Sequence, residues 1–230
     1  MLIVLEGLDG AGKSTQVAAL RKYLEKRTGR LEYIHFPRYE APVYGDLVSR
    51  FLRGEFGGND VVHPQLVALL FALDRRDAAP AIKESLLAGK TVLLDRYVYS
   101  NVAYQCAKLP QGEEREKLRD WILETEFGPF NLPQPDLNLF LDVPISFVEE
   151  RLASARKGSD RDYLAGSSDI HEADINFQKE VCAIYRREAS LNPRFLPVDC
   201  AGPDGRMLPP DVISSRVEAI VDYYLTKQGL

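Results

Sequence analysis

Short apolar runs alternate with longer segments of helical periodicity along the chain. The runs predict buried strands at Leu2–Leu5, Leu31–Phe36, Thr91–Leu94, Leu137–Leu141 and Arg194–Val198. Apolar residues spaced three and four apart predict helices between them: Lys13 to about Lys26, Val43–Leu52, Pro64–Leu87, two within Val98–Phe127, Pro144 to about Arg156, Asp169–Glu188, and a last helix carrying Ile213, Val217, Ile220 and Tyr224. This alternation predicts an α/β fold, a five-stranded parallel sheet with helices on both faces.

Length and composition narrow the class of protein. A chain of 230 residues, with no internal repeat and no long linker, predicts a single domain over residues 1–230. The net charge of −5 disfavours a nucleic-acid-coating protein, which is usually basic. No apolar stretch approaches the roughly 20 residues of a membrane helix, and the run Leu2–Leu5 is too short for a signal peptide. Three widely spaced cysteines, Cys106, Cys182 and Cys200, are typical of reduced thiols. We therefore expect a cytoplasmic protein with no membrane and no nucleic-acid partner.

The first apolar run leads directly into G-L-D-G-A-G-K-S-T, which fits the phosphate-loop pattern G-x-x-x-x-G-K-[ST]. The predicted strand before it and helix after it are the context that this motif requires, although a Gly-rich turn can match by chance. In such a loop Lys13 reaches the β and γ phosphates and the Ser14 hydroxyl coordinates Mg²⁺. The predicted ATP-binding residues are Gly7, Asp9, Gly10, Ala11, Gly12, Lys13, Ser14 and Thr15.

Other charged residues follow the ends of predicted strands. Ligands of parallel sheets bind beyond the carboxyl ends of the strands, so these segments converge on one crevice. Asp95 could orient hydrated Mg²⁺ and Arg96 could grip a phosphate, whereas an exposed Asp–Arg pair is more often a surface salt bridge. Arg38, after the second strand, could hold an acceptor phosphate.

The helix Pro64–Leu87 carries one aromatic residue of ambiguous role. Phe71 would usually belong to the core. Here an apolar stripe is already supplied by Leu66, Leu69, Leu70 and Leu73, so Phe71 could face the crevice instead.

The segment Lys157–Asp169 lacks an apolar period and is rich in Gly, Ser and charge, which predicts a mobile loop. Arg151, Arg156 and Arg161 lie in or beside it. A charge run is usually a solvated surface. A mobile basic loop near an ATP site is also what a lid over a transferred phosphoryl group would look like.

Four motifs in this order resemble the thymidylate kinase family over nearly the whole chain: G-L-D-G-A-G-K-S-T, F-P-R-Y, L-L-F-A-L-D-R and D-R-Y-V-Y-S-N-V-A-Y. The phosphate loop alone is common to many nucleotide users. The D-R-Y-x-x-S segment and the spacing of Phe71 and Arg75 make the resemblance specific. It implies a P-loop kinase fold with a mobile lid at about residues 154–170, phosphorylation of dTMP by ATP with Mg²⁺, and a homodimer.

The resemblance also implies roles for single residues. Phe71 would stack on thymine, Arg75 would donate to a base carbonyl, and Arg38 and Arg96 would hold the dTMP phosphate. Asp9 would approach the sugar 3′-OH and the metal region. The implied dTMP-binding set is Asp9, Phe36, Arg38, Tyr39, Phe71, Arg75, Arg96, Ser100, Asn101, Tyr104 and Gln105, and the implied metal set is Ser14, Asp9 and Asp95.

At one position of the phosphate loop the sequence differs from some members of the family. Some members carry a catalytic arginine inside the phosphate loop, where this chain has Gly10, and others supply it from the lid. The resemblance therefore makes Arg156 and Arg161 the candidates for that arginine, beside Lys13 and Arg96 as the other catalytic residues. For His171 and Glu172, after the lid, we expect structural roles.

Two alternative functions stay open at this stage. One is another nucleotide or deoxynucleoside kinase on the same fold. The other is a nucleotide-dependent switch or partner-binding module. A GTPase would carry N-K-x-D for guanine, and the sequence contains no Asn-Lys pair.

Overall fold

The computed structural model describes residues 1–59, 61–154, 164, 171 and 174–229. Within these residues, strands and helices alternate as the sequence predicts. The strands are β1 (Leu2–Gly7), β2 (Leu31–His35), β3 (Thr91–Asp95), β4 (Leu137–Asp142) and β5 (Phe195–Asp199). The helices are α1 (Lys13–Thr28), α2 (Tyr44–Leu52), α3 (Pro64–Leu87), α4 (Val98–Cys106), α5 (Glu113–Phe127), α6 (Ile145–Ala153), α7 (Ile175–Leu191) and α8 (Pro210–Lys227).

The strands form one parallel sheet in the order β2-β3-β1-β4-β5, which confirms the predicted fold. The central strand β1 is buried along its whole length because helices cover both faces. The chain leaves β1 toward β2 on one side and reaches β4 on the other, so the strand order reverses at the carboxyl end of β1. Such a switch point is where open α/β sheets bind ligands.

Two groups of helices cover the sheet. Helices α1 and α8 pack against each other, and α1 also contacts β1, β2 and β3. Helix α4 packs against α3, α5 and α7, while α3 contacts β3 and α7 contacts β4 and β5. The apolar core lies between these layers, and the prediction of helices on both faces is confirmed.

Two predicted helix boundaries beside the proposed lid are wrong. Helix α6 ends at Ala153 because Ser154 is already extended, with a ψ of 131°. Helix α7 begins at Ile175 rather than Asp169, since Asp174 has an extended backbone and its carboxylate caps the helix by accepting a hydrogen bond from the Asn176 N–H. Apart from Ser154 and residue 164, the proposed lid over 154–170 lies outside the described residues.

No helix among the described residues is long and apolar enough to cross a membrane.

The packing predicts a stability difference between two leucines. Leu93 lies in β3 and is fully buried, whereas Leu87, the last residue of α3, is 89% exposed. Leu93→Ala should lower the free energy of unfolding by about 3 kcal/mol because it leaves a cavity in the sheet. Leu87→Ala should change it by less than about 0.5 kcal/mol. Urea unfolding followed by circular dichroism measures both, and equal losses would contradict this view of the core.

Candidate active site

The loop between β1 and α1 has the backbone of an anion site. Gly10 and Gly12 have φ angles of 78° and 75°, a left-handed conformation that costs other residues about 1–2 kcal/mol. Gly12 is the N-cap of α1, no side chain caps the helix, and its first turn contains no acid. The first N–H groups and the positive end of α1 are therefore directed at the loop, where they can bind phosphate oxygens.

Lys13 and Asp95 form an ion pair beneath this loop. The Lys13 Nζ lies 2.5 Å from Asp95 Oδ1, and His35 Nδ1 lies 3.0 Å from Asp95 Oδ2. Burial alone would raise the pKa of the Asp95 carboxyl, but the Lys13 charge and the His35 hydrogen bond outweigh it and hold the pKa well below its usual range. Asp95 is therefore a carboxylate with both oxygens occupied. His35 was not predicted as a site residue, and the β2–β3 register places it opposite Asp95.

Asp9, the acid within the phosphate loop, is neutralised by donors from three other elements. Its Oδ1 accepts a hydrogen bond from Arg96 Nη2 at 2.6 Å. Its Oδ2 accepts from the Tyr104 hydroxyl at 2.8 Å and from Gln178 Nε2 at 3.1 Å. Both carboxylate oxygens therefore bind donors from outside the phosphate loop. Gln178, on α7, is a further site residue that sequence analysis missed.

Arg96 is held in an unusual conformation at the end of β3. Its φ is 66°, in the left-handed region, and its backbone N–H donates to the Leu5 carbonyl at 3.0 Å. The guanidinium Nη1 donates to the Gly7 carbonyl at 2.8 Å, and the group also lies over the Tyr104 ring. These contacts fix the cation at the base of the phosphate loop, beside Asp9.

A cavity opens next to Arg96 and Asp9. It contains every predicted dTMP-binding residue except Arg38, together with three others. Its lining is Asp9, Phe36, Pro37, Tyr39, Leu52, Phe71, Arg75, Arg96, Ser100, Asn101, Tyr104, Gln105 and His171.

The Arg38 side chain forms ion pairs with neighbouring acids and does not line the cavity. Its Nε donates to Asp74 Oδ1 at 2.9 Å, and its Nη2 donates to Asp77 Oδ2 at 2.6 Å. Asp74 Oδ2 also accepts the Arg38 backbone N–H, so this carboxylate fixes the turn after β2. The structure therefore does not bring the Arg38 guanidinium together with Arg96.

The far end of the cavity contains a buried ion pair. Arg75 donates to Glu126 through Nε at 2.5 Å and Nη2 at 2.7 Å. Asn101 Nδ2 donates to Glu126 Oε1 and to the Ala68 carbonyl, which fixes the orientation of the amide. Glu126 binds Nε and Nη2 of Arg75 but not Nη1, and among the described residues Asn101 Oδ1 has no hydrogen-bond partner. The cavity end thus presents one cationic donor and one amide acceptor. Glu126 was not predicted.

Aromatic rings form one wall of the cavity. Phe71 is half-buried and meets the buried Phe51 edge-on at 6.4 Å between ring centroids. The His171 ring lies 6.5 Å from Phe71 at an angle of 24° and 5.3 Å from Tyr104. Burial lowers the pKa of His171 well below its ordinary value, and the Lys108 charge lowers it further, so the imidazole is neutral. Phe71 belongs to the cavity wall, as the sequence suggested.

A second cavity lies on the opposite side of the phosphate loop. Three predicted ATP-binding residues, Ala11, Gly12 and Thr15, line it. Its other lining residues are Gln16, Leu141, Phe147, Arg151, Cys200, Met207, Leu208, Pro209, Pro210 and Ile213. The segment after β5 closes this side, since Ala201 and Met207 pair across a short antiparallel bridge. The Arg151 guanidinium lies over the Phe147 ring at 5.2 Å.

The structure describes the predicted metal-binding residues but not the two predicted lid arginines. Ser14 is exposed at the first turn of α1, beside the Lys13–Asp95 pair. No group of three or more His, Cys, Asp or Glu side chains in the described part of the chain could hold a metal ion by itself. Arg156, Arg161 and Glu172 lie outside the described residues.

Comparison with known proteins identifies relatives over most of the chain. The family model for thymidylate kinase matches residues 5–203. The thymidylate kinase of Mycobacterium tuberculosis (strain ATCC 25618 / H37Rv) is 35% identical over 221 residues, covering 93% of this chain and 100% of that protein. The thymidylate kinase of Homo sapiens is 39% identical over 150 residues, covering 65% of this chain and 64% of that protein. A solved structure of thymidylate kinase from Candida albicans superposes with a TM-score of 0.73 at 28% identity, covering 96% of this chain and 91% of that one.

The buried neutral His171 predicts a pH dependence of stability. Below about pH 6.5 the unfolded chain binds a proton at this histidine that the folded chain does not, so folding loses stability as the pH falls. Between pH 6.5 and 5, unfolding free energy should decrease by about 1 kcal/mol per pH unit through this residue. His171→Phe keeps a ring in the wall and should flatten the slope in urea unfolding. His63→Asn, at the exposed cap of α3, is the control and should keep it. An unchanged slope in His171→Phe would contradict a neutral buried imidazole.

Proposed function

The chain belongs to the thymidylate kinase family, and from that premise we infer that it transfers a phosphoryl group from ATP to dTMP, giving ADP and dTDP. Two cavities beside one phosphate loop support this inference. The first cavity ends in groups that complement thymine. The neighbouring kinases and the nucleotide switch considered from sequence are not favoured, since the family match extends over residues 5–203.

The acceptor cavity supports recognition of thymine by hydrogen bonding. Thymine has a carbonyl acceptor at position 4 and an N–H donor at position 3, whereas cytosine has an amino donor and a bare nitrogen there. We propose that Arg75 Nη1 donates to the carbonyl and Asn101 Oδ1 accepts from the N–H. Glu126 supports both roles because it binds Nε and Nη2 of Arg75 and also Nδ2 of Asn101, which donates to the Ala68 carbonyl as well. Phe71 would contribute a stacking face, which any base can use.

The sugar and phosphate of dTMP would extend from the base toward the phosphate loop. On this proposal Tyr104 packs beneath the deoxyribose, and Asp9 approaches the 3′-OH. Arg96, between the cavity and the loop, is the cation best situated for the acceptor phosphate. Arg38 would take part only after exchanging its ion pair with Asp77 for a phosphate oxygen.

On the donor side we propose that Lys13 exchanges Asp95 for the β and γ phosphates of ATP. The residues fit a magnesium ion, since Mg²⁺ prefers oxygen ligands and keeps several waters beside one or two protein groups. Ser14 and the released Asp95 oxygen would hold it, while Asp9, with both oxygens already occupied, fits less well. Bound there, Mg²⁺ would neutralise charge on the phosphates.

The second cavity supports a site for adenine. Its wall is largely apolar, with Phe147, Leu208 and Pro209, and the Arg151 guanidinium lies over the Phe147 ring. We propose that adenine enters here while the triphosphate follows the loop toward Lys13.

The transfer itself requires alignment and charge neutralisation rather than a general base. The attacking group is an anionic phosphate oxygen, so no proton has to be removed from it. Lys13 would hold the donor and Arg96 the acceptor. Arg156 and Arg161 remain the proposed sources of a further cation.

We propose that the protein acts in the cytoplasm and as a homodimer. The dimer is supported by exposed apolar side chains at and just before the start of α3, where Val61 and Leu66 are 68% and 62% exposed.

A substrate panel tests the proposed reaction. With ATP and Mg²⁺, turnover should be highest for dTMP among dTMP, dUMP, dCMP, dGMP and thymidine. Lys13→Ala should lower kcat by at least about 100-fold, because it removes the cation on the transferred phosphate. Product formation is followed by anion-exchange chromatography. Phosphorylation of thymidine but not of dTMP, or ATP hydrolysis without dTDP, would overturn the proposal.

Asn101 tests how the base is recognised. Asn101→Ala removes the acceptor for the base N–H and should lower kcat/KM for dTMP by about tenfold or more, while the low rate with dCMP falls less. The ratio of kcat/KM for dTMP to that for dCMP should therefore fall.

Asn138 provides the matched control. It is a buried asparagine of β4 whose Oδ1 also has no partner among the described residues, and it lies outside the cavity lining. Asn138→Ala should keep the wild-type ratio. The same ratio in wild type and Asn101→Ala would exclude Asn101 from base recognition.

A further inference from the structure

Glu6 is a fully buried acid that the transfer described above does not use. It is the residue before Gly7, at the end of β1. Its Oε1 accepts the backbone N–H groups of Tyr97 at 3.0 Å and Ser100 at 3.2 Å. Its Oε2 accepts the Ser100 hydroxyl at 2.5 Å and the Tyr185 hydroxyl at 3.0 Å. Four donors therefore converge on this carboxyl group.

Packing alone does not require an acid at this position. Burial raises the pKa of Glu6, which reflects the cost of removing a carboxylate from water, and an apolar side chain would avoid that cost. The hydrogen bonds and the Arg96 charge offset part of that cost, and the pKa of Glu6 stays above its ordinary value. All these groups belong to, or contact, the turn that carries Arg96.

Glu6 fixes the backbone of that turn. Arg96 has a φ of 66°, which costs a non-glycine residue free energy and persists only where neighbouring contacts hold it. The Arg96 N–H donates to the Leu5 carbonyl, and the next N–H, that of Tyr97, donates to Glu6. Consecutive residues of β1 therefore bind consecutive N–H groups of the turn.

Glu6 also fixes the guanidinium through Ser100. The Ser100 hydroxyl donates its proton to Glu6. The lone pairs of the Ser100 oxygen can therefore accept from Arg96 Nη1, which lies 3.3 Å away. Tyr185, on α7, donates to the same carboxyl oxygen and contacts the same hydroxyl at 2.8 Å. A donor in place of the Glu6 oxygen would turn the Ser100 O–H away from position 6. The Ser100 oxygen would then accept from two donors, which weakens its contact with Arg96.

We propose that Glu6 is the positioning residue for Arg96, so that its carboxyl group determines how tightly the acceptor phosphate is bound without touching the substrate. This inference rests on the proposed function, in which Arg96 holds the phosphate of dTMP. Thymidine, which lacks that phosphate, should be insensitive to Glu6.

The test compares the affinities of dTMP and thymidine by isothermal titration calorimetry. Glu6→Gln keeps the shape and the acceptor for the two backbone N–H groups, but it places a donor opposite Ser100 and Tyr185. We expect dTMP to bind about tenfold more weakly and thymidine to be unchanged within about twofold.

Glu188→Gln is the matched control, and Arg96→Ala is the reference. Glu188 is a buried acid of α7 bound by Arg119 at 2.6 Å, so its variant loses a comparable buried contact outside the cavity. Glu188→Gln should leave the ratio of the two affinities at the wild-type value. Arg96→Ala should abolish most of the advantage of dTMP over thymidine.

Each outcome has one meaning. If Glu6→Gln keeps the wild-type ratio, or weakens both ligands equally, Glu6 is only structural and the inference is wrong. If Arg96→Ala keeps the ratio, the role of Arg96 in the proposed function is wrong, and the inference falls with it. Should Glu6→Gln not fold, Tyr185→Phe removes a single donor to Glu6 and should lower the dTMP affinity by about two- to fivefold with thymidine unchanged; an unchanged ratio there overturns the inference equally.

Discussion

The parallel pairing of β1 with β3 is the constraint on which the candidate site depends. It brings Gly7 and Arg96, 89 residues apart in the chain, into direct contact. Leu5 lies opposite Asp95 in the register, so the phosphate loop and the Asp95–Arg96 pair leave the sheet at the same edge. Since side chains alternate along a strand, a shift of one residue would turn Asp95 to the other face and separate it from Lys13.

Three cations of the candidate site each have a carboxylate partner. Lys13 is paired with Asp95, Arg96 with Asp9, and Arg75 with Glu126. A buried cation without a partner would be expensive, so each is held ionised and oriented by a carboxylate. The ion pairs differ in whether they would have to break when a substrate binds. In the proposed complex Arg75 would bind the base through Nη1 with its ion pair intact, whereas Lys13 would exchange its carboxylate for a phosphate.

Local patterns predicted the strands and the phosphate loop, and the family resemblance supplied most of the residues that line the first cavity. The motif residues follow strand ends, and Phe71 and Arg75 lie four apart on one helix. The residues that sequence analysis missed are the partners of these groups. Glu126 lies 51 positions from Arg75, and Gln178 lies 169 positions from Asp9, and no local pattern links them. Arg38 has the motif's position, yet Asp74 and Asp77 on α3 compete for its guanidinium.

The backbone of Gly10 and the net charge around the phosphate loop both concern the proposed lid arginine. An arginine at that position would have to adopt the left-handed conformation, with a φ near 78°, at a cost of about 1–2 kcal/mol. Around the loop, the charges of Lys13 and Arg96 are balanced by those of Asp95 and Asp9. Two phosphate-bearing substrates add negative charge that this neutral set cannot offset, and phosphoryl transfer spreads that charge over the transferred group. The proposed Mg²⁺ compensates for part of it. A cation beyond this set would offset more of it, and Arg156 and Arg161 stay the predicted sources.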